Sequence, residues 1–252
     1  MLPVTAEKTE EAPARWGIIS LAALLAVIIV PPSILLSASA SPNALILGAG
    51  IWAVSVAVKR LAGVPLDRQL RKRNTRSEIA AGFHGAFSAI CELGLAAIFL
   101  RTWDDARFVD VLAFGAGAGC TEALYVLCLA FTAAKNRTDE LAWINGATQS
   151  LWVRYTVPLE RLLAAIGHTG SRGLVWLGLQ LSGYQGVIFV ALAMTTFTMV
   201  DGVAAYGLQK KWNWSDPTIC RRTHLFFGSV SVAELSIFLL AYWLLMPSFL
   251  PG

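Results

Sequence analysis

The sequence predicts an all-α fold, a polytopic transmembrane helical bundle of about seven spans. Three observations carry this. The 252 residues are 56% hydrophobic and only 14% charged, against roughly 25% charge in an average soluble domain. Apolar runs long enough to cross a bilayer, about 20 residues each, recur along the whole chain. Lys and Arg gather in alternate connections between those runs, the asymmetry that orients membrane proteins.

The first run, 16–38, follows a start of mixed charge (Glu7, Lys8, Glu10, Glu11) and is interrupted by Pro31-Pro32. It lacks the clear small-x-small cleavage pattern of a signal peptide and reads as a span. Residues 1–15 read as a short cytoplasmic tail, with disorder over the polar, proline-containing stretch 1–14, and 16–252 as a single integral membrane domain. The second run, 43–60, leads into the densest basic cluster: Lys59, Arg60, Arg68, Arg71, Lys72, Arg73 and Arg76. The third and fourth runs, 78–100 and 108–133, are joined by a connection whose Arg101 and Arg107 are offset by Asp104, Asp105 and Asp110. DELAWINGATQSLWVRY at 139–155 reads as an amphipathic cytoplasmic connection, with Lys135, Arg137 and Arg154 around it. The fifth, sixth and seventh runs cover 157–181, 184–208 and 225–246, with Lys210, Lys211, Arg221 and Arg222 between the last two.

With the N-terminus cytoplasmic, all the large basic clusters fall on the cytoplasmic side. The net charge of +4 is then a topology and inner-leaflet signal rather than a nucleic-acid one. The chain reads as a multi-pass protein of the cell (plasma) membrane whose first partner is the lipid bilayer. Trp16, Trp103, Trp212, Trp214 and Trp243 read as interfacial anchors. Cys91, Cys120, Cys128 and Cys220 read as free thiols. There is no P-loop, dinucleotide fingerprint or Ser-His-Asp arrangement.

Ionisable groups inside apolar spans cost roughly 2.5–3.5 kcal/mol each on insertion scales and face the bundle interior. Here they are Glu92, Glu122, His168, Arg172, Asp201 and Glu234, with Glu160 and Arg161 near the start of the fifth span. Gly115, Gly119 and Glu122 share one helical face, nearly bare of side chains, onto which another helix can pack. Gly85, Ser88, Ala89, Glu92 and Ala96 form a similar stripe, as do Ala164, Ala165, His168 and Ser171. By helical rise, Glu92, Glu122 and His168 reach similar depth near the membrane centre. Asp201 lies nearer the cytoplasmic side, and Glu160 is about two turns below His168. Two carboxylates and an imidazole at one depth are a donor set that zinc accepts, with an open position for water. The same residues also read as interhelical hydrogen bonds, with Glu92 paired to Arg172. Glu234 reads as a polar link between helices. Cys91 is by default an apolar filler, though its thiol adjoins Glu92.

The order of these motifs resembles the YhfC family of intramembrane metalloproteases, relatives of the PrsW and CAAX-type membrane proteases. The resemblance covers most of the chain: VPPSILL at 30–36, LGAGIWAVSVAVKRLAGVPL at 47–66, SAICELG at 88–94, FGAGAGCTEAL at 114–124, LERLLAAIGH at 159–168 and AMTTFTMVDGVAA at 193–205. It implies Glu92 and Glu122 as catalytic carboxylates. It implies His168, Glu122, Glu92 and Asp201 as metal ligands, with zinc as cofactor and a membrane-embedded peptide as substrate. Glu160, Arg161, Arg172 and Cys91 would support the site. The sequence departs from the family where Cys91 stands for the first glutamate of a pair. It departs again where Leu95 and Ala96 stand for an arginine, and where Thr196 or Phe197 stands for a histidine. The expectation is therefore a YhfC-like intramembrane metalloprotease, a hydrolase whose site is partly degenerate. The alternatives are a proton- or cation-coupled carrier using the same carboxylates as a relay, and a non-catalytic membrane partner on the same fold.

Overall fold

The computed structural model describes residues 7–132 and 137–246, with side chains for 15–132 and 138–246. Nine helices make up the described residues. They are α1 (Glu7–Ser37), α2 (Pro42–Lys72), α3 (Ser77–Arg101), α4 (Phe108–Thr132), α5 (Arg137–Gln149), α6 (Leu151–Arg154), α7 (Thr156–Gln180), α8 (Gly183–Gln209) and α9 (Pro217–Leu245). Six of them, α1 to α4, α8 and α9, are long and apolar enough to cross a membrane. This is an all-α polytopic membrane bundle, and its lipid-like exterior fits a multi-pass location in the cell membrane.

Local chemistry sets the helix boundaries. Pro42 and Pro217 open α2 and α9, where a missing N–H costs nothing. Asp216 caps α9 by accepting from the Thr218 and Ile219 amides at 2.8 and 3.0 Å. Asn74 and Lys211, with φ of 47° and 52°, turn the chain after α2 and α8. Pro31-Pro32 does not interrupt α1, contrary to expectation. A proline frees the carbonyl four residues earlier, and the Val27 carbonyl freed by Pro31 accepts from the Cys120 thiol at 3.4 Å. Of the stretch expected to be disordered, 1–6 lies outside the described residues and 7–14 belongs to α1. Lys135 and the Arg137 side chain also lie outside the described set. The 139–155 connection is helical, as α5 and α6.

The long helices alternate between two ends. Connections α2–α3, α4–α7 and α8–α9 meet at one end. There His84 lies 3.0 Å from Asp67, Gly146 packs on Ser215, and Arg154 lies over the Trp16 ring at 4.2 Å. This is the basic end. At the opposite end Arg107 donates to Asp110 at 2.7 Å and to the Ser39 carbonyl at 2.8 Å. The Ser41 amide donates to Asp110 there as well, at 2.7 Å.

Helix α7 sits at the centre, packed against α1, α3, α4, α8 and α9. It carries Glu160, Arg161, His168 and Arg172 and is the one long helix outside the apolar six. Close approach is what seats it. A Cβ at Gly115 or Gly119 of α4 would run into the α7 backbone at Thr169 or Ala165. Toward the opposite end an apolar core fills the bundle, with Phe108 stacked on Tyr242 at 4.1 Å and Phe99 on Phe114 at 5.6 Å. Toward the basic end the bundle is hollow.

Candidate functional site

The hollow is a cavity of about 430 Å³ between α2, α3, α4, α7, α8 and α9. One wall carries a chain of charges. Lys59 of α2 donates to Glu92 Oε1 of α3 at 2.5 Å. Arg172 of α7 donates to Glu92 Oε2 at 3.2 Å and to His168 Nδ1 at 2.5 Å. His168 Nε2 meets Glu122 Oε2 of α4 at 2.6 Å. Arg161 of α7 then joins Glu122 Oε1 at 2.5 Å to Glu160 at 2.8 Å.

Helix geometry explains the order. His168 and Arg172 are one turn apart on α7, so the guanidinium folds back onto the ring above it. Gly115 and Gly119 bring α4 close enough for Glu122 to reach the same imidazole. A guanidinium has only N–H donors, so His168 Nδ1 accepts and the proton sits on Nε2, donated to Glu122. The ring thus lies between a cation at Nδ1 and a carboxylate at Nε2. Glu92, His168 and Arg172 are buried, with Arg172 at 0% exposure.

The other wall carries two acids in a different state. Asp201 of α8 accepts from the Ser88 hydroxyl of α3, and Ser88 accepts from Lys59 at 3.1 Å. Glu234 of α9 accepts from the Thr196 hydroxyl of α8. Neither acid has an ion-pair partner among the described residues.

Glu92, Glu122 and His168 do come together, but not as metal ligands. Among the described residues no group of three or more His, Cys, Asp or Glu side chains is placed to hold a metal ion. The reason is visible atom by atom. A single ion needs the lone pairs of several ligands aimed at one point. Here the two glutamates lie on opposite sides of the ring, Glu122 at Nε2 and Glu92 3.8 Å from Nδ1. Arg172 occupies the space between Nδ1 and Glu92. Cations take both oxygens of Glu92 and one oxygen of Glu122, and the His168 Nε2–H takes the other. Asp201 accepts from the Ser88 hydroxyl instead. Zinc therefore does not fit these residues, and the metalloprotease and hydrolase expectation is corrected with it. Both glutamates are held as charged partners of Lys59, Arg161 and Arg172.

Glu160 and Arg161 pair with each other, and Arg161 also enters the charge chain. Cys91 is a buried free thiol. Sequence reading placed Lys59 among the topology charges, yet its ammonium bonds the central carboxylate. The signal was the period of α2: Gly48, Trp52 and Ser55 are its buried face, and Lys59 continues that face. Ser88 shares the inward stripe of Glu92 and Thr196 precedes Asp201 on α8, but nothing in the sequence marks either hydroxyl as the holder of an acid. Of the histidines without an expected role, His84 lies beside Asp67 and His224 Nδ1 is 3.3 Å from the Cys220 thiol.

Comparison of the chain with family models, with curated proteins and with solved structures gives no match. The YhfC resemblance rests on the order of the sequence motifs alone.

Proposed function

We propose that this chain is a proton-coupled membrane carrier with seven spans, α1 to α4 and α7 to α9, and the basic end cytoplasmic. One observation carries the reading: the cavity wall holds more carboxylates than cations. Glu92, Glu122, Glu160, Asp201 and Glu234 line it, against Lys59, Arg60 and Arg161 on the wall and Arg172 behind it. Two of these acids, Asp201 and Glu234, have no ion-pair partner among the described residues, and a membrane interior does not tolerate such charges uncompensated. Protons on these two acids, each hydrogen-bonded by a neighbouring hydroxyl, remove that cost. These are exchangeable protons beside an accessible cavity, the arrangement a coupled carrier uses.

The shape supports the same reading. The cavity lies in the basic half and the aromatic core closes the other, as in a carrier open to one side. Orientation rests on Arg68, Arg71, Lys72, Arg73, Arg76, Lys210, Lys211, Arg221 and Arg222 at the basic end. α7 counts as a span because it is 25 residues long and its charges are paired inside the bundle. The YhfC resemblance is then a proposal of shared bundle architecture without the family's chemistry.

Reconstituted protein with a pH dye inside the vesicles tests the function. Mixtures of cationic, anionic and neutral metabolites are added outside in turn. At least one class should drive protein-dependent proton movement, slowed at least tenfold in Asp201→Asn/Glu234→Gln. Proton movement no faster than in protein-free vesicles for every class overturns the carrier. A second reading, a non-catalytic membrane partner, draws on the pairing of Glu92 and Glu122 with cations. It expects stability loss on breaking the charge chain and no flux.

A further inference from the structure

We infer that the cavity takes an organic cation, an amine, quaternary ammonium or related onium compound, in exchange for a proton. This rests on the carrier reading and names its substrate class.

The cavity is about 430 Å³, within the roughly 300–1,000 Å³ range of small-molecule sites. Its wall alternates two kinds of group. Trp52, Tyr125, Phe197 and Phe227 supply aromatic surface, while Asp201 and Glu234 supply carboxylates without a cation of their own. Aromatic faces beside unpaired acids are how proteins hold organic cations.

Independently of the acids, a cation already sits on this aromatic wall. The exposed Arg60 places its guanidinium 5.3 Å from the centre of the Tyr125 ring, and Tyr125 lies 5.9 Å from Trp52. Both rings and Arg60 line the cavity. Arg60 thus shows that this surface accepts a planar organic cation at cation–π distance.

Glu234 is 4% exposed and lines the cavity. The groups around it are Thr196 on α8, Ser231 one turn before it on α9, and Arg172 on α7. Arg172 is spent on Glu92 and His168. Facing Asp201 are Ser88 and Glu92 on α3, Glu122 on α4 and Lys59 on α2, and Lys59 is spent on Glu92 and Ser88. So an arriving cation finds two acids free to answer it. The exchange is balanced. One carboxylic O–H breaks, its proton passes to cavity water, and the carboxylate pairs with the bound cation.

The test uses two probes of the same shape and opposite charge, tetraphenylphosphonium and tetraphenylborate. Displaceable binding of each to the full chain in detergent is measured, together with proton release in weak buffer. Tetraphenylphosphonium should bind at least tenfold tighter than tetraphenylborate and release about one proton per ion. Asp201→Asn/Glu234→Gln, checked for folding by its melting temperature, should lose both effects. Because that pair could fail to fold, Arg60→Ala at the exposed mouth is the second variant. Freeing the Tyr125 ring should leave the phosphonium affinity unchanged or raise it severalfold.

Equal binding of the borate, or a phosphonium affinity that falls tenfold in Arg60→Ala, overturns the inference. So does phosphonium binding that survives in folded Asp201→Asn/Glu234→Gln. Phosphonium binding with no proton flux in vesicles removes the carrier and leaves the cation class standing. Flux driven only by anions or neutral compounds removes the cation class and leaves the carrier standing.

Discussion

Arg172 is the residue on which the centre depends. It is fully buried and its two terminal nitrogens serve different acceptors, His168 on its own helix and Glu92 on α3. Breaking a buried pair by removing one partner typically costs about 3–5 kcal/mol, because the other partner is left uncompensated. Arg172→Met should therefore lower the melting temperature in detergent sharply. Arg172→Lys should recover only part of the loss, since an ammonium lacks the planar fork that reaches both acceptors. A melting temperature for Arg172→Met equal to wild type would show that the charge chain does not hold the bundle together. Sequence went a long way here: small-residue stripes pointed Glu92, Glu122 and His168 inward, and an Arg172–Glu92 pair was one of the expectations. What it could not give was direction around the ring. Whether two carboxylates share one side of an imidazole or flank it depends on helix rotation, and that decides between a metal site and a salt-bridged chain.

At the scale of elements, the α4–α7 contact positions everything else. Gly119 leaves room for Ala165, so a side chain there must push α7 away and pull His168 off Glu122. Gly119→Val should cost about 1–3 kcal/mol or more by overpacking. Gly94→Ala on α3 meets nothing within 4 Å and should be neutral or stabilising by up to about 1 kcal/mol through helix propensity. Thermal unfolding of the two variants side by side checks this, and equal melting temperatures would remove the close-packing argument. Element by element, the apolar runs gave the helices but not their ends. The runs at 43–60 and 225–246 stop where charges begin, whereas α2 and α9 cover Pro42–Lys72 and Pro217–Leu245. Helices persist past the apolar core because Lys and Arg carry their charge outward on long stems. Pro31-Pro32 misled for another reason: the freed carbonyl finds a donor on α4, which no local rule in α1 can anticipate.

For the whole molecule, the argument is about sides. The bundle is hollow in one half and plugged with aromatic rings in the other, and the basic connections all lie at the hollow end. If those connections are cytoplasmic, the cavity faces the cytoplasm and α3 must cross the membrane between Asn74 and Asp105. The two positions sit in connections at opposite ends, before and after α3 (Ser77–Arg101). Single cysteines at them, in a background with Cys91, Cys120, Cys128 and Cys220 replaced, report the sides directly. A membrane-impermeant maleimide should label Asp105→Cys in intact cells and Asn74→Cys only after permeabilisation. The reverse pattern would turn the cavity outward and make the carrier one that loads from outside. Labelling of both in intact cells would remove α3 as a span and with it the seven-span arrangement. The sidedness matters for the chemistry. A membrane potential negative inside draws cations toward the cytoplasm at about 2.3 kcal/mol per charge for each 100 mV. An exchanger that returns one proton for each cation moves no net charge and escapes that pull. With the expected orientation, cation exit should then follow an imposed pH gradient, acid outside, and ignore an imposed potential. Exit that instead tracks the potential at equal pH would show that the Asp201 and Glu234 protons are not part of the cycle.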